Sequence, residues 1–100
     1  MQIDIQTNIN EWTATLSGNV THEDRNHFKV LIHCFKDASV EKLIIDFEKI
    51  GQIQSSAIGA LLLIRDEAIK HDADIILKNV SGNLSVIFEQ TVLSDLFTVH

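Results

Sequence analysis

Proline is absent from this chain of 100 residues, and glycine occurs only four times. Both residues interrupt regular secondary structure, so their scarcity predicts a chain made mostly of helices and strands with short connections. No linker-like stretch divides the sequence, and a hydrophobic content of 45% is enough for one compact core. We therefore expect a single domain that covers residues 1–100.

The scarcity of cysteine and of basic residues also limits the compartments and partners that we expect for this protein. The only cysteine, Cys34, has no partner for an internal disulfide, which fits a reducing cytoplasm. Eight Lys and Arg against fourteen Asp and Glu give a formal charge of −6, so we expect no nucleic-acid partner. Neither a long apolar run nor a secretory signal pattern is present, which argues against direct membrane insertion. These features together predict a cytoplasmic protein.

Apolar and polar residues alternate at the start of the chain. Ile3 and Ile5, and later Ala14 and Leu16, recur at every second position, as in half-buried strands. The turn signal at residues 8–10 lies between the two patterns. The sequence therefore opens with a predicted antiparallel hairpin.

Helical and strand patterns alternate after this hairpin. Thr21 followed by Asp24 is an N-terminal capping signal, and apolar residues at helical spacing predict a first helix from Thr21 to Asp37. Cys34 lies among the apolar positions of this helix and is expected to be a small buried side chain. The continuous apolar run from Leu43 to Phe47 predicts a central strand.

The second half of the chain repeats this order. We expect a second helix from Ser55 or Ser56 to Lys70, a short strand at 75–77, and a third helix after the turn at 81–83. Residues 96–99 fit either a last strand or a helical end. A hairpin followed by helix–strand units predicts an α/β fold, in which helices pack on a mixed sheet of four to five strands.

Two adjacent serines, Ser55 and Ser56, stand between the central strand and the second helix. One interpretation is structural, because serine is a preferred residue at the N-cap of a helix. The other is functional, because the free N–H groups and the dipole at a helix N-terminus favour a negative charge, so that a phosphate here would be tolerated by the fold. The two roles are compatible, since one serine can cap the helix while its neighbour points outward.

Patterns for enzymatic chemistry are missing around these serines. The nucleophile elbow G-x-S-x-G does not fit either hydroxyl, and no Gly-x-x-x-x-Gly-Lys loop is present for nucleotide binding. No two of the five histidines are spaced i,i+4, so a shared metal ion is not expected. We predict a protein that is not an enzyme and holds no metal or cofactor. An enzyme with Ser55 as its nucleophile is the rival from another class.

The chain resembles the STAS domain, which is shared by sulfate transporters and bacterial anti-sigma factor antagonists. The resemblance extends from the opening hairpin to Phe97. The segments that carry it are LIIDF at 43–47, IQSSAIG at 53–59, LLL at 61–63, LKNVS at 77–81 and IFEQTVL at 87–93.

This resemblance implies a phosphorylation switch of the anti-sigma factor antagonist type. In the family, the unmodified antagonist binds a switch kinase that is also the anti-sigma factor, and a serine phosphatase reverses the phosphorylation. Carried over by position, the phosphoacceptor is Ser55 and the accessory hydroxyl is Ser56. The implied partner-binding residues are the two serines together with Gln54, Ala57 and Ile58.

Three positions depart from the family pattern, in which the turn is usually Asp-Ser-Ser or Asp-Ser-Thr followed by Gly-Leu-Gly. Gln54 replaces the acidic residue, Ala57 replaces the first glycine, and Val92 replaces the glycine after Thr91. Gln54 carries no charge, which bears on recognition by a kinase. Ala57 is a better helix former than glycine and should stiffen the turn. The resemblance also leaves open a constitutive STAS subunit of a transport or other complex that is never phosphorylated.

Overall fold

The computed structural model describes residues 1–54, 58–80, 85–86 and 98–99. Ser55, Ser56 and Ala57 lie outside the described residues, as do Val92 and most of the predicted third helix. Within that helix, residues 85–86 have helical backbone.

In the described part of the chain, five strands form one mixed sheet in the order β1-β2-β3-β4-β5. They are β1 (Gln2–Thr7), β2 (Glu11–Val20), β3 (Lys42–Ile53), β4 (Asp74–Lys78) and β5 (Thr98–Val99). The first two strands are antiparallel, and every other neighbouring pair is parallel. The predicted hairpin, the central position of the strand that begins near Leu43 and the mixed sheet are confirmed. Thr98–Val99 resolves the alternative left open at the end of the chain in favour of a strand.

Among the described residues, one α-helix connects β2 to β3 and a second connects β3 to β4, and the first differs from its prediction. The segment His22–Phe28 is a 3₁₀ helix, and α1 follows it at Lys29–Asp37. The N–H of Asp24 donates to the carbonyl of Thr21, three residues earlier, at 3.0 Å, which is the 3₁₀ pattern. The second helix, α2, is described from Ile58 to Lys70.

The core lies between the two helices and one face of the sheet. Leu43, Ile45 and Phe47 of β3 are buried, whereas Ile44 and Asp46, which point to the opposite face, are half-buried. The helices pack their own buried side chains against this face: Leu31, Cys34, Phe35, Ile58, Ala60, Leu61, Ile64 and Ala68. Burial of a Leu or Ile side chain contributes about 1.5–3 kcal/mol, so this layer fixes where both helices lie on the sheet.

Asp24 is the one buried charged residue among those described. Its carboxylate accepts hydrogen bonds from the backbone N–H of Thr21 at 2.8 Å and from the Thr21 hydroxyl at 3.2 Å, and lies 3.5 Å from the Met1 ammonium group. The backbone bond is the largest influence, and together with the other contacts it outweighs burial and lowers the pKa of Asp24. The predicted capping role is thus confirmed, and the same carboxylate ties the start of the 3₁₀ helix to the start of the chain.

Replacing Asp24 should make stability less sensitive to acid. Because folding lowers the pKa of this carboxyl, its stabilisation is complete above the ordinary value of 3.8 and is lost as the pH falls through the lower folded-state pKa. We expect Asp24→Asn to lower the free energy of unfolding by about 1 kcal/mol at neutral pH. This difference from wild type should shrink as the pH falls below 3.8. Urea titrations at several pH values measure this, with the exposed Glu23→Gln as control. A difference that stays constant down to strongly acidic pH would contradict the assignment.

Cys34 is buried, as predicted, with 2% of its surface exposed. Its thiol donates to the carbonyl of Leu31 at 3.1 Å, and burial raises the pKa of the thiol to about 11. The thiolate fraction falls about tenfold for each pKa unit above the pH. The side chain is therefore an unreactive part of the core.

Alkylation of native Cys34 by iodoacetamide at mildly alkaline pH should be more than about a hundredfold slower than in concentrated urea, because only the thiolate reacts. Intact-mass spectrometry against time follows the reaction. Similar rates in the native and unfolded protein would show that the thiol is accessible and ionised.

Candidate functional site

The connection between β3 and α2 falls within residues 54–57, because β3 ends at Ile53 and α2 is described from Ile58. The two predicted hydroxyls, Ser55 and Ser56, belong to this connection and lie outside the described residues. The structure therefore defines the site by the residues on either side. It confirms that a strand enters the connection and that a helix follows it.

The entry side is held by the end of β2. The N–H of Gln54 donates to the carbonyl of Val20 at 2.9 Å. Ile53 is paired with Val20 in the sheet, and the two side chains are 2% and 1% exposed. The side chain of Gln54 is exposed. The backbone is thus anchored up to the residue that precedes Ser55, while the side chain of that residue faces solvent.

A local contact between β2 and β3 reinforces this anchor. The Oδ1 atom of Asn19 accepts a hydrogen bond from the N–H of Gln52 at 3.0 Å. A Cβ atom placed on Gly51 would come within 2.6 Å of the same oxygen, so glycine leaves room for the amide. Gly18 has a φ of +87°, and the register of β2 shifts on both sides of it. The irregular end of β2 positions Asn19 over β3, two residues before Gln54.

The exit side is held by the apolar face of α2. Ile58 is 7% exposed, and Leu61 and Ile64 are fully buried, so the first turns of the helix are fixed against the sheet. Of the five predicted partner-binding residues, Ile58 has little surface left for a partner. Its role in the structure is to anchor the start of the helix.

Hydrogen bonds to Asp46 join the middle of β3 to the residue that follows β4. The side-chain amide of Asn79 and the N–H of Glu48 each donate to Asp46 Oδ1 at 2.9 Å. Partial burial raises the pKa of Asp46, but these bonds and the nearby charges of Lys78 and Lys49 outweigh it, so the net pKa is lowered. Asp46 is therefore an ionised structural residue.

Asn19 and Asn79 make the long-range side-chain contacts that the sequence analysis missed. Both contacts join residues 33 positions apart, so no local pattern predicts them. The available signals were the Gly18–Asn19 pair and an asparagine directly after a strand, where its positive φ of 59° is tolerated.

Among the described residues, no group of three or more His, Cys, Asp or Glu side chains could hold a metal ion. Over the same part of the chain, no helix has both the length and the hydrophobicity needed to cross a membrane.

Comparison with known proteins connects this geometry to a family. Residues 2–100 match the family model described as the STAS domain. No curated protein matches the sequence. The match spans nearly the whole chain and includes the connection between β3 and α2.

Solved structures with the same fold include two forms of one regulator. The anti-sigma factor antagonist SpoIIAA in its unphosphorylated form aligns with a TM-score of 0.79 at 17% identity, over 99% of this chain and 87% of that one. The Bacillus cell fate determinant SpoIIAA in the phosphorylated form aligns with a TM-score of 0.72 at 21% identity, over 99% and 91%. A sulfate transporter family protein from Wolinella succinogenes aligns with a TM-score of 0.72 at 12% identity, over 94% and 80%. At these identities the likeness shows the fold.

The contact between Asn19 and Gly51 can be tested with a double-mutant cycle. Asn19→Ala should lower the free energy of unfolding by about 1 kcal/mol, because the N–H of Gln52 loses its acceptor. Gly51→Ala should cost about as much, because the new methyl group displaces the same oxygen from that N–H. The double variant should lose clearly less than the sum of the two single variants.

Urea denaturation measures all four corners of this cycle. Gly59→Ala is the matched control: a Cβ there meets nothing within 4 Å, so alanine in α2 should stabilise by about 0.5–1 kcal/mol. Strictly additive losses for the Asn19 and Gly51 variants would contradict the contact.

Proposed function

The chain belongs to the STAS domain family, and from this premise we propose that it is a cytoplasmic regulator of the anti-sigma factor antagonist type, controlled by reversible phosphorylation of Ser55. Its partners would be a switch kinase that also acts as the anti-sigma factor, and a serine phosphatase. The observation that carries the proposal is a pair of serines in the sequence between a strand anchored as far as Gln54 and a helix that is described, and buried, from Ile58.

The fixed backbone on both sides of the two serines supports this proposal. The backbone is bonded to β2 as far as Gln54, and α2 is packed into the core from Ile58 onward. A modification between these two anchors changes a short segment without requiring the sheet or the helix to move. The regulated surface would include Gln54, Ser55, Ser56 and Ala57, with Ile58 supporting it from below.

Electrostatics support the switch as well. A phosphate brings about −1.5 to −2 charges, and the N–H groups and dipole at the start of a helix can stabilise this charge. A partner that docks on the neutral hydroxyl would instead bury a dianion without enough hydrogen-bond donors. That mismatch can cost several kcal/mol, which corresponds to orders of magnitude in affinity.

The fold relatives agree with this type of regulation. SpoIIAA is known both in an unphosphorylated and in a phosphorylated form, and it is an anti-sigma factor antagonist. The role proposed for this chain is binding and switching, with no catalytic step of its own.

A second candidate function follows from the match to a sulfate transporter family protein. In that case the chain is a constitutive subunit of a transport or other complex and is never phosphorylated. Gln54, which replaces the usual acidic residue before the phosphoacceptor, is the feature of this sequence that favours it. Intact-mass measurement of protein from its native host, before and after phosphatase treatment, separates the two functions. Loss of a phosphate mass supports the switch, and an unchanged mass supports the constitutive subunit.

Variants at Ser55 test the switch itself. We expect Ser55→Ala to leave the fold intact and to bind the partner constitutively. Ser55→Asp should weaken that binding at least tenfold through its charge. Ser56→Ala is the matched control and should remain phosphorylatable at Ser55. Pull-downs from the native host, quantified against wild type, measure the outcome. Equal partner recovery with Ser55→Ala and Ser55→Asp would rule out the proposed switch.

A further inference from the structure

Strand β1 forms one edge of the sheet, and its only strand neighbour among the described residues is β2. Natural proteins usually protect such an edge with proline, lysine, a bulge or a very short strand. β1 has six residues, contains no proline and only one charged residue, Asp4, and pairs with β2 without a register shift. This edge has the features of a strand that accepts another strand.

The hairpin determines which backbone groups of β1 point outward. The N–H of Asn8 donates to the carbonyl of Glu11 at 2.8 Å, and hydrogen bonding alternates along an antiparallel pair from there. Gln2, Asp4 and Gln6 therefore exchange hydrogen bonds with β2. The N–H and carbonyl groups of Ile3, Ile5 and Thr7 face away from it.

The side chains beside this edge are apolar and only partly covered. Ile3 and Ile5 are half-buried on the helix-bearing face of the sheet, and they line a shallow depression with Met1, His27 and Val30. Val30, on α1, is 45% exposed. A strand added to the outer edge of β1 would cover this apolar surface and satisfy the outward-facing backbone groups together.

We propose that the occupant is a second copy of this chain, paired antiparallel through β1 about a twofold axis with Ile5 opposite Ile5 of the second copy. Such an interface is self-complementary, as a symmetric dimer requires. In this register Ile3 faces Thr7 of the second copy, so all outward-facing residues from Ile3 to Thr7 form hydrogen bonds.

Charge and the Met1 contact select this register over its neighbours. A shift that places Ile3 opposite Ile5 would set Asp4 directly against Asp4 of the second copy, which is destabilising. A shift that places Ile3 opposite Ile3 would require the backbone of Met1, whose ammonium group is already 3.5 Å from the carboxylate of Asp24. With Ile5 on the axis, each Asp4 instead faces Gln6, which can donate a hydrogen bond to it.

This interface is separate from the proposed phosphorylation site. β2 lies between β1 and β3 in the sheet, so pairing at β1 leaves the connection after β3 outside the contact. The dimer can therefore be tested independently of the switch.

The experiment changes the charge at position 6, where the side chain of Gln6 is exposed in the single chain. Gln6→Glu places a second carboxylate opposite each Asp4 and should weaken the dimer about tenfold, whereas Gln6→Lys should tighten it by a similar factor. The double variant Asp4→Lys with Gln6→Glu restores opposite charges and should recover the wild-type dissociation constant or better. Sedimentation equilibrium over a wide concentration range measures each constant, and thermal unfolding in dilute solution checks that the single chain stays folded.

A backbone variant gives a second readout. Thr7→Pro removes an outward-facing N–H that β2 does not use, so it should keep the fold and weaken the dimer, while Thr7→Ala keeps that N–H and should behave like wild type. A wild-type chain that stays monomeric at every concentration overturns the proposal. So does a dimer that responds to Gln2→Glu and is unaffected by Gln6→Glu.

Discussion

The hydrogen bond from the N–H of Gln54 to the carbonyl of Val20 is the constraint on which the proposed function depends. It is the last described backbone contact before Ser55, and it joins the end of β3 to the end of β2. Asn19 supports it by accepting from the N–H of Gln52, and Gly51 leaves space for that amide. The chain thus reaches the two serines from a fixed point.

The helix start supplies the second fixed point. Ile58, Leu61 and Ile64 pack into the core, so α2 cannot turn or slide without losing buried area. A short connection between two such anchors is suited to carry a chemical change, because its effect on the rest of the domain is limited. The same rigidity allows a partner to distinguish a neutral hydroxyl from a dianion with little ordering cost in this protein.

Most of the fold could be predicted from the sequence, because its strands and helices have strong local periodicity. The alternation at Ile3, Ile5, Ala14 and Leu16 predicted the hairpin, and the buried run at 43–47 predicted the central strand. The boundaries were harder to predict. β3 continues to Ile53, because the polar residues after Phe47 are held by pairing with the end of β2, which no local pattern reveals.

The surroundings of the candidate site were less predictable than the fold. The serines, their flanking strand and the helix after them follow from local sequence, but Asn19 and Asn79 act through contacts across 33 positions. The 3₁₀ geometry at His22–Phe28 likewise depends on how Asp24 is bonded to Thr21 at the start of that segment. Such features require the assembled sheet and its hydrogen bonds.

A phosphate on Ser55 should alter a local surface and leave the domain folded. Amide NMR spectra of the isotopically labelled protein, recorded before and after phosphorylation in a lysate of its native host, test this most directly. We predict shifts confined to Gln52–Gly59 and their immediate neighbours, with the signals of β1 and α1 unchanged. Shifts spread across the whole sheet, or a phosphate found on a different residue, would contradict the account.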